Sequence, residues 1–212
     1  MLSSHSAIPR GTLLKKLFSS ASSSGRMTDP LRIRMSKSLA TQLASSTVSL
    51  RKMMPREISK FITAEKWSVR HNVGSKFACI ERTVEARKVQ VEWMLPMSVF
   101  DESRLEFRIH IEDKLTPQGM VFTCFTRQRR THRFVIKYLQ CYGSFSERDS
   151  AHSYEGPRFD TLEPQLQAAF DETLHAWGID GEVIDFIEAS TKYYKNAEYI
   201  NWLHNVSEFI SK

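Results

Sequence analysis

The chain has 212 residues, 41% of them hydrophobic and 25% charged, which is enough apolar material for one core of ordinary size and excludes a disordered polyelectrolyte. No uncharged apolar run approaches the roughly 18 residues of a membrane-spanning helix, and Cys79, Cys124 and Cys141 are odd in number, far apart and outside any CxxC spacing, which argues against a disulfide framework or a zinc site. The formal net charge of +6 is unevenly placed: residues 1–45 hold seven Lys or Arg against Asp29 alone, so residues 46–212 balance at 23 basic and 23 acidic side chains.

Residues 1–45 are Ser-rich, carry Arg10, Lys15, Lys16, Arg26, Arg32, Arg34 and Lys37, and include an amphipathic stretch at Leu13, Leu14, Leu17 and Phe18. A cationic helix with one apolar face is the chemistry of a mitochondrial transit peptide, and the apolar h-region of a secretory signal is missing. The expected organisation is therefore a transit peptide over 1–45 and a single domain over 46–212. A basic tail without an address is the alternative that composition leaves open.

From about Thr41 to Lys66 the pattern is helical, with Leu43, Leu50, Met54, Ile58 and Ile62 spaced mostly by four and Pro55 interrupting. The period then changes to two. Val89, Val91 and Trp93 alternate with Lys88, Gln90 and Glu92, and Leu105, Phe107, Ile109 and Ile111 alternate with Glu106, Arg108, His110 and Glu112, which puts one face on a core and the other in water. Weaker strand signals lie at 67–73, 76–82, 120–127 and 134–142. Six or seven strands without helical interludes predict an antiparallel meander.

Residues 144–157 read as a polar loop. Beyond them Leu162, Leu166, Phe170, Leu174 and Trp177 mark a helix that Gly178 is placed to end, and a second helix is predicted over about 182–210. That last helix carries Val183, Ile187, Tyr194, Trp202, Leu203, Val206, Phe209 and Ile210, more apolar surface than a solvated helix keeps. The charge divides with the elements: residues 51–146 hold 18 basic and 10 acidic side chains, residues 147–212 hold 5 and 13.

The C-terminal third resembles the mitochondrial glycoprotein family through Tyr154, Gly156, Pro157 and Phe159, then Leu162, Leu166, Gln167 and Phe170. The match continues through Leu174, Gly178, Ile179 and Phe186 to Lys195, Glu198, Tyr199, Trp202, Leu203 and Phe209. The resemblance implies an α+β fold: a twisted antiparallel sheet of about seven strands flanked by one N-terminal and two C-terminal helices, assembled as a ring-shaped homotrimer. It further implies a non-enzymatic protein of the mitochondrial matrix that binds several partners. Most members are markedly acidic, whereas residues 46–212 here are neutral in formal charge.

Arg127, Arg129, Arg130, His132 and Arg133 form the densest basic cluster, with Phe122, Phe125, Phe134 and Tyr138 nearby. At a strand-to-strand tip the arginines could neutralise phosphates or an acidic partner while an aromatic stacks on a base. The competing account is a solvated hairpin tip whose aromatics point into the core. Catalysis by His110 with Glu112 and Asp113, or by Cys124 with His132, is disfavoured, because His110 and Glu112 take the polar positions of an alternating strand and no GxSxG, phosphate loop or dinucleotide fingerprint is present.

No cofactor and no metal is expected. The reading that follows is a chaperone-like matrix protein supporting oxidative phosphorylation and mitochondrial translation or ribosome assembly, its partners being itself and matrix proteins. The alternative is an RNA-binding accessory factor of mitochondrial RNA processing, with mitochondrial RNA or ribonucleoproteins as partners.

Overall fold

The computed structural model describes residues 30–52, 55–96, 104–127, 133–148, 150 and 152–212. Helices α1 (Pro30–Lys52) and α2 (Arg56–Thr63) precede six strands: β1 (Ser68–His71), β2 (Phe77–Val84), β3 (Arg87–Met94), β4 (Glu106–Asp113), β5 (Gly119–Thr126) and β6 (Phe134–Tyr142). The short helix α3 (Phe145–Arg148), a 3-10 turn (Phe159–Thr161), and helices α4 (Pro164–Ala176) and α5 (Gly181–Ser211) follow. The chain divides into two compact units, a sheet unit of residues 56–191 and a helical unit formed by the chain up to Pro55 and from Lys192 onward.

In the sheet unit the strands lie in chain order, each antiparallel to the next. This confirms the meander of six or seven strands and corrects the count of about seven that the resemblance implied, because six strands are present among the described residues. The alternating pattern explains the core. Val69, Ile80, Val91, Ile109, Phe122 and Leu139 face one another in register across all six strands, and Ala78, Trp93, Phe107, Cys124 and Ile136 form a second row beside them. Most of these side chains are buried, Ile80, Val91 and Ile109 completely.

The pairing of β5 with β6 contains a bulge at Thr123 and Cys124, where Tyr138 and Ile136 are the successive partners and Lys137 is the extra residue. One inserted residue lets Leu139 and Ile136, three apart, both take core positions. Three helices close over the apolar face. Phe186 of α5 stacks on Phe61 of α2 at 4.1 Å and meets Trp93 edge-on at 6.0 Å, while Phe170 of α4 packs on Phe122 and Phe159.

The turn from α4 to α5 follows its sequence closely. Gly178 takes φ +85, its N–H donates to the His175 carbonyl, and the Ile179 N–H donates to Leu174, the paired bonds of a Schellman stop. Asp180 then caps α5, its Oδ1 accepting from the Glu182 and Val183 amides. The expected loop over 144–157 is corrected in part, since α3 forms inside it and sends Arg148 to Glu112 at 2.6 Å. His110 also differs from the bare water-facing residue expected: its ring nitrogens are enclosed.

In the helical unit α1 places Ser36, Leu39, Leu43, Ser46 and Leu50 at alternating three- and four-residue intervals, and these, with Thr47, are its half-buried positions over residues 30–50. That spacing is a coiled-coil seam. The Arg32 guanidinium donates to the Ile210 carbonyl, so the start of α1 lies beside the end of α5 and the two helices run antiparallel. Position 45, the expected end of the address, falls inside α1.

Candidate functional site

Three surfaces could carry function, and the first is the basic tip. Arg127 is exposed, and its amide donates to the Arg133 carbonyl at 2.6 Å to close the neck of the β5–β6 hairpin. Arg129, Arg130 and His132 lie outside the described residues. Arg133 is turned inward onto α5, where its guanidinium pairs with Asp185 and, at 3.0 Å, with Glu188. An arginine held by two carboxylates, with a side chain only 28% exposed, is committed to anchoring α5 to the sheet.

The nearby aromatics divide between core and surface. Phe122 is buried and Phe134 packs edge-on against Phe107 at 5.8 Å. Phe125 carries Arg104 at 4.4 Å and Lys137 at 5.5 Å from its ring centre, and Lys137 also sits over Tyr138. These cation–π contacts add two basic groups, Arg104 and Lys137, that sequence spacing did not attach to the cluster. The tip is a basic surface whose described aromatic faces are already occupied.

The second surface belongs to the helical unit. Half of the large apolar side chains exposed among the described residues lie there: Leu31, Ile33, Met35 and Val48 on α1, and Tyr199, Trp202 and Phe209 on α5. Trp202 is 55% exposed and Phe209 79%. Tyr199, Trp202 and Phe209 recur at intervals of three and seven, one stripe along the helix, with the Tyr199 and Trp202 rings stacked at 6.1 Å. The apolar excess of the last helix, visible in the sequence, is thus only partly absorbed within the chain.

The third is a basic cavity at the β2–β3 end of the sheet, lined by Lys66, Ser68, Glu81, Arg82, Lys88 and Lys114 together with Thr83. It gathers residues from four separate segments, so no run in the sequence announces it.

Of the residues weighed for catalysis, His132 lies outside the described residues, and the described ones do not form a reacting set. Cys124 is fully buried, burial holds its thiol well above the ordinary value, and a protonated thiol inside a core is not a nucleophile. Glu112 is occupied by Arg148. Among the described residues no three His, Cys or carboxylate side chains come together as metal ligands, and no helix is long and apolar enough to cross a membrane.

A single antiparallel meander covered on one face by helices defines an α+β protein of the kind the C-terminal motif implied. The chain belongs to the mitochondrial glycoprotein family, which residues 96–210 match over more than half of its length. Membership implies a mitochondrial protein.

Two solved structures share the fold. The Trypanosoma brucei p22 protein is 16% identical, with a TM-score of 0.71 over 86% of this chain and 100% of that one. A hypothetical Leishmania major protein of unknown function, described as a sequence homologue of human p32, is also 16% identical, with a TM-score of 0.61 over 82% of this chain and 99% of that one.

Proposed function

We propose that this protein is a non-enzymatic, chaperone-like scaffold of the mitochondrial matrix, which assembles as a homotrimer and holds matrix proteins in support of oxidative phosphorylation and mitochondrial translation or ribosome assembly. The observation that carries the reading is the exposed stripe of Tyr199, Trp202 and Phe209 on α5, with Leu31 and Met35 also exposed on α1. Contiguous apolar surface of this kind on a soluble domain is the mark of a contact made with another chain. The family and its p32-type relatives support a protein that works through such contacts.

Light scattering of the purified protein is expected to give three copies, and Trp202→Glu with Phe209→Glu is expected to give one, at unchanged helix content. A wild-type protein that stays monomeric at micromolar concentration overturns the reading. A second reading, RNA binding, rests on the exposed Arg127 together with Arg104 and Lys137, which flank the Phe125 ring two residues before it. It requires that matrix partners captured by the full chain disappear on RNase treatment.

Residues ahead of α1 are proposed to be the address. Removal of everything through residue 45 would take away most of α1, including Arg32 and Leu39, so processing ahead of Pro30 preserves the packed seam. N-terminal sequencing of the protein recovered from mitochondria is expected to begin before Pro30; a start at residue 46 would contradict this.

A further inference from the structure

The geometry points to an oligophosphate-binding site in the basic cavity of the sheet unit, a role that is separate from self-assembly and does not depend on it. Lys66 and Ser68 enter from the start of β1, Glu81, Arg82 and Thr83 from β2, Lys88 from β3, and Lys114 from the end of β4. The register brings them together: Ser68 is opposite Glu81, and Thr83 is opposite Lys88. The Lys114 amide donates to the Ala86 carbonyl at 3.1 Å, which ties the β4–β5 turn to the tight β2–β3 turn, where Glu85 adopts φ 53. The cavity is therefore built from paired backbone.

Its electrostatics are unbalanced. Three lysines, Lys66, Lys88 and Lys114, surround one carboxylate, and Glu81 is already shared between Arg70 and Lys88, the latter at 3.3 Å. Lys66 has only a long contact of 3.9 Å with Glu182. Arg82 alternates to the opposite, helix-covered face, paired with Val89 and lying over the Trp67 ring at 5.3 Å, so its charge does not add to theirs, and Lys114 has no carboxylate partner among the described residues. Like charges gathered around a cavity raise its potential and favour an anion.

The chemistry of that anion follows from the lining. The three lysines come from three separate places, ahead of β1, on β3 and at the end of β4, so each can meet a different phosphate, and two or three linked phosphates use the lining more fully than one. A volume of about 500 Å³ accommodates such a ligand. The hydroxyls of Ser68 and Thr83 can donate to phosphate oxygens, and no aromatic side chain lines the cavity to stack on a base. The phosphates, rather than a nucleoside, are what this site is equipped to hold.

Titration calorimetry of the full chain with inorganic tripolyphosphate is expected to show one site per chain, weakening as salt is raised. Lys88→Gln with Lys114→Gln is expected to lower affinity roughly tenfold, the size that goes with losing two solvent-screened charge contacts, while Lys192→Gln with Lys195→Gln on α5 leaves it unchanged. Glu81→Gln, which removes the one carboxylate from the cavity, is expected to tighten binding. Magnesium-free ATP binding like tripolyphosphate assigns the site to inorganic chains, and tighter binding of ATP assigns it to a nucleotide tail. Failure to bind tripolyphosphate, response only to an RNA oligonucleotide, or equal weakening by both lysine pairs overturns the proposal.

Discussion

Phe186→Ala is expected to cost the sheet unit about 3–5 kcal/mol, the usual range for emptying a buried phenylalanine site. Phe186 is completely buried on α5, its ring stacked on Phe61 of α2 at an interplanar angle of 16° and set edge-on to Trp93 of β3 at 87°. Three elements distant in sequence meet at this one ring. Trp93 cannot swing into the vacated space, since it stands in a cross-strand row between Ala78 and Phe107 and is itself 1% exposed. The cavity would stay open, and its cost would be a large fraction of the roughly 5–15 kcal/mol that stabilises a domain. Urea denaturation followed by tryptophan fluorescence measures the loss. Phe186→Leu is expected to recover more than half of it by restoring volume without the ring contacts. A loss below about 1 kcal/mol for the alanine variant would mean that the site collapses and that the three elements are not locked there.

The elements were legible where a single period ruled them. Strands β3 and β4 alternate so regularly that Val89, Val91, Trp93, Phe107, Ile109 and Ile111 are all found in the core. The stop at Gly178 and the long helix after it were equally readable, because a left-handed glycine and a sustained run of apolar positions leave local signatures. Residues 30–40 were not read as part of a helix, since Arg32, Arg34 and Lys37 suit an address as well as a surface, and the seam of α1 mixes serine with leucine. Helix α3 has one turn and no periodicity to detect. The site divides in the same way: the arginine cluster at 127–133 stands out as a run, yet the engagement of Arg133 depends on Asp185 and Glu188, 52 and 55 residues further along. The basic cavity, drawn from four segments brought together by strand register, has no linear trace at all.

Gly156→Ala is expected to be far more damaging than Gly74→Ala, although both glycines have nearly the same backbone angle, φ +87 and φ +85. At Gly74 an added Cβ meets nothing within 4 Å, so only the left-handed conformation is penalised, at about 1 kcal/mol. At Gly156 the Cβ would fall 1.7 Å from the Leu139 carbonyl oxygen and 2.5 Å from its carbon, main-chain atoms of β6 that no rotamer change can move. Leu139 is opposite Phe122 in the core row, and Tyr138 makes a bridge to Arg158 two residues beyond the glycine. Relief therefore requires the 154–158 segment to leave the sheet. That segment delivers Phe159 to Phe170 of α4, so its displacement would also loosen the helix cover. Conformational strain and backbone overlap together place the expected loss at about 3 kcal/mol or more, with a lower thermal midpoint and earlier proteolysis of the 150–160 region. Equal effects at the two glycines would show that the segment is free to shift, and that the Tyr154, Gly156, Pro157 and Phe159 motif is retained for a contact outside the chain rather than for this approach of two backbones.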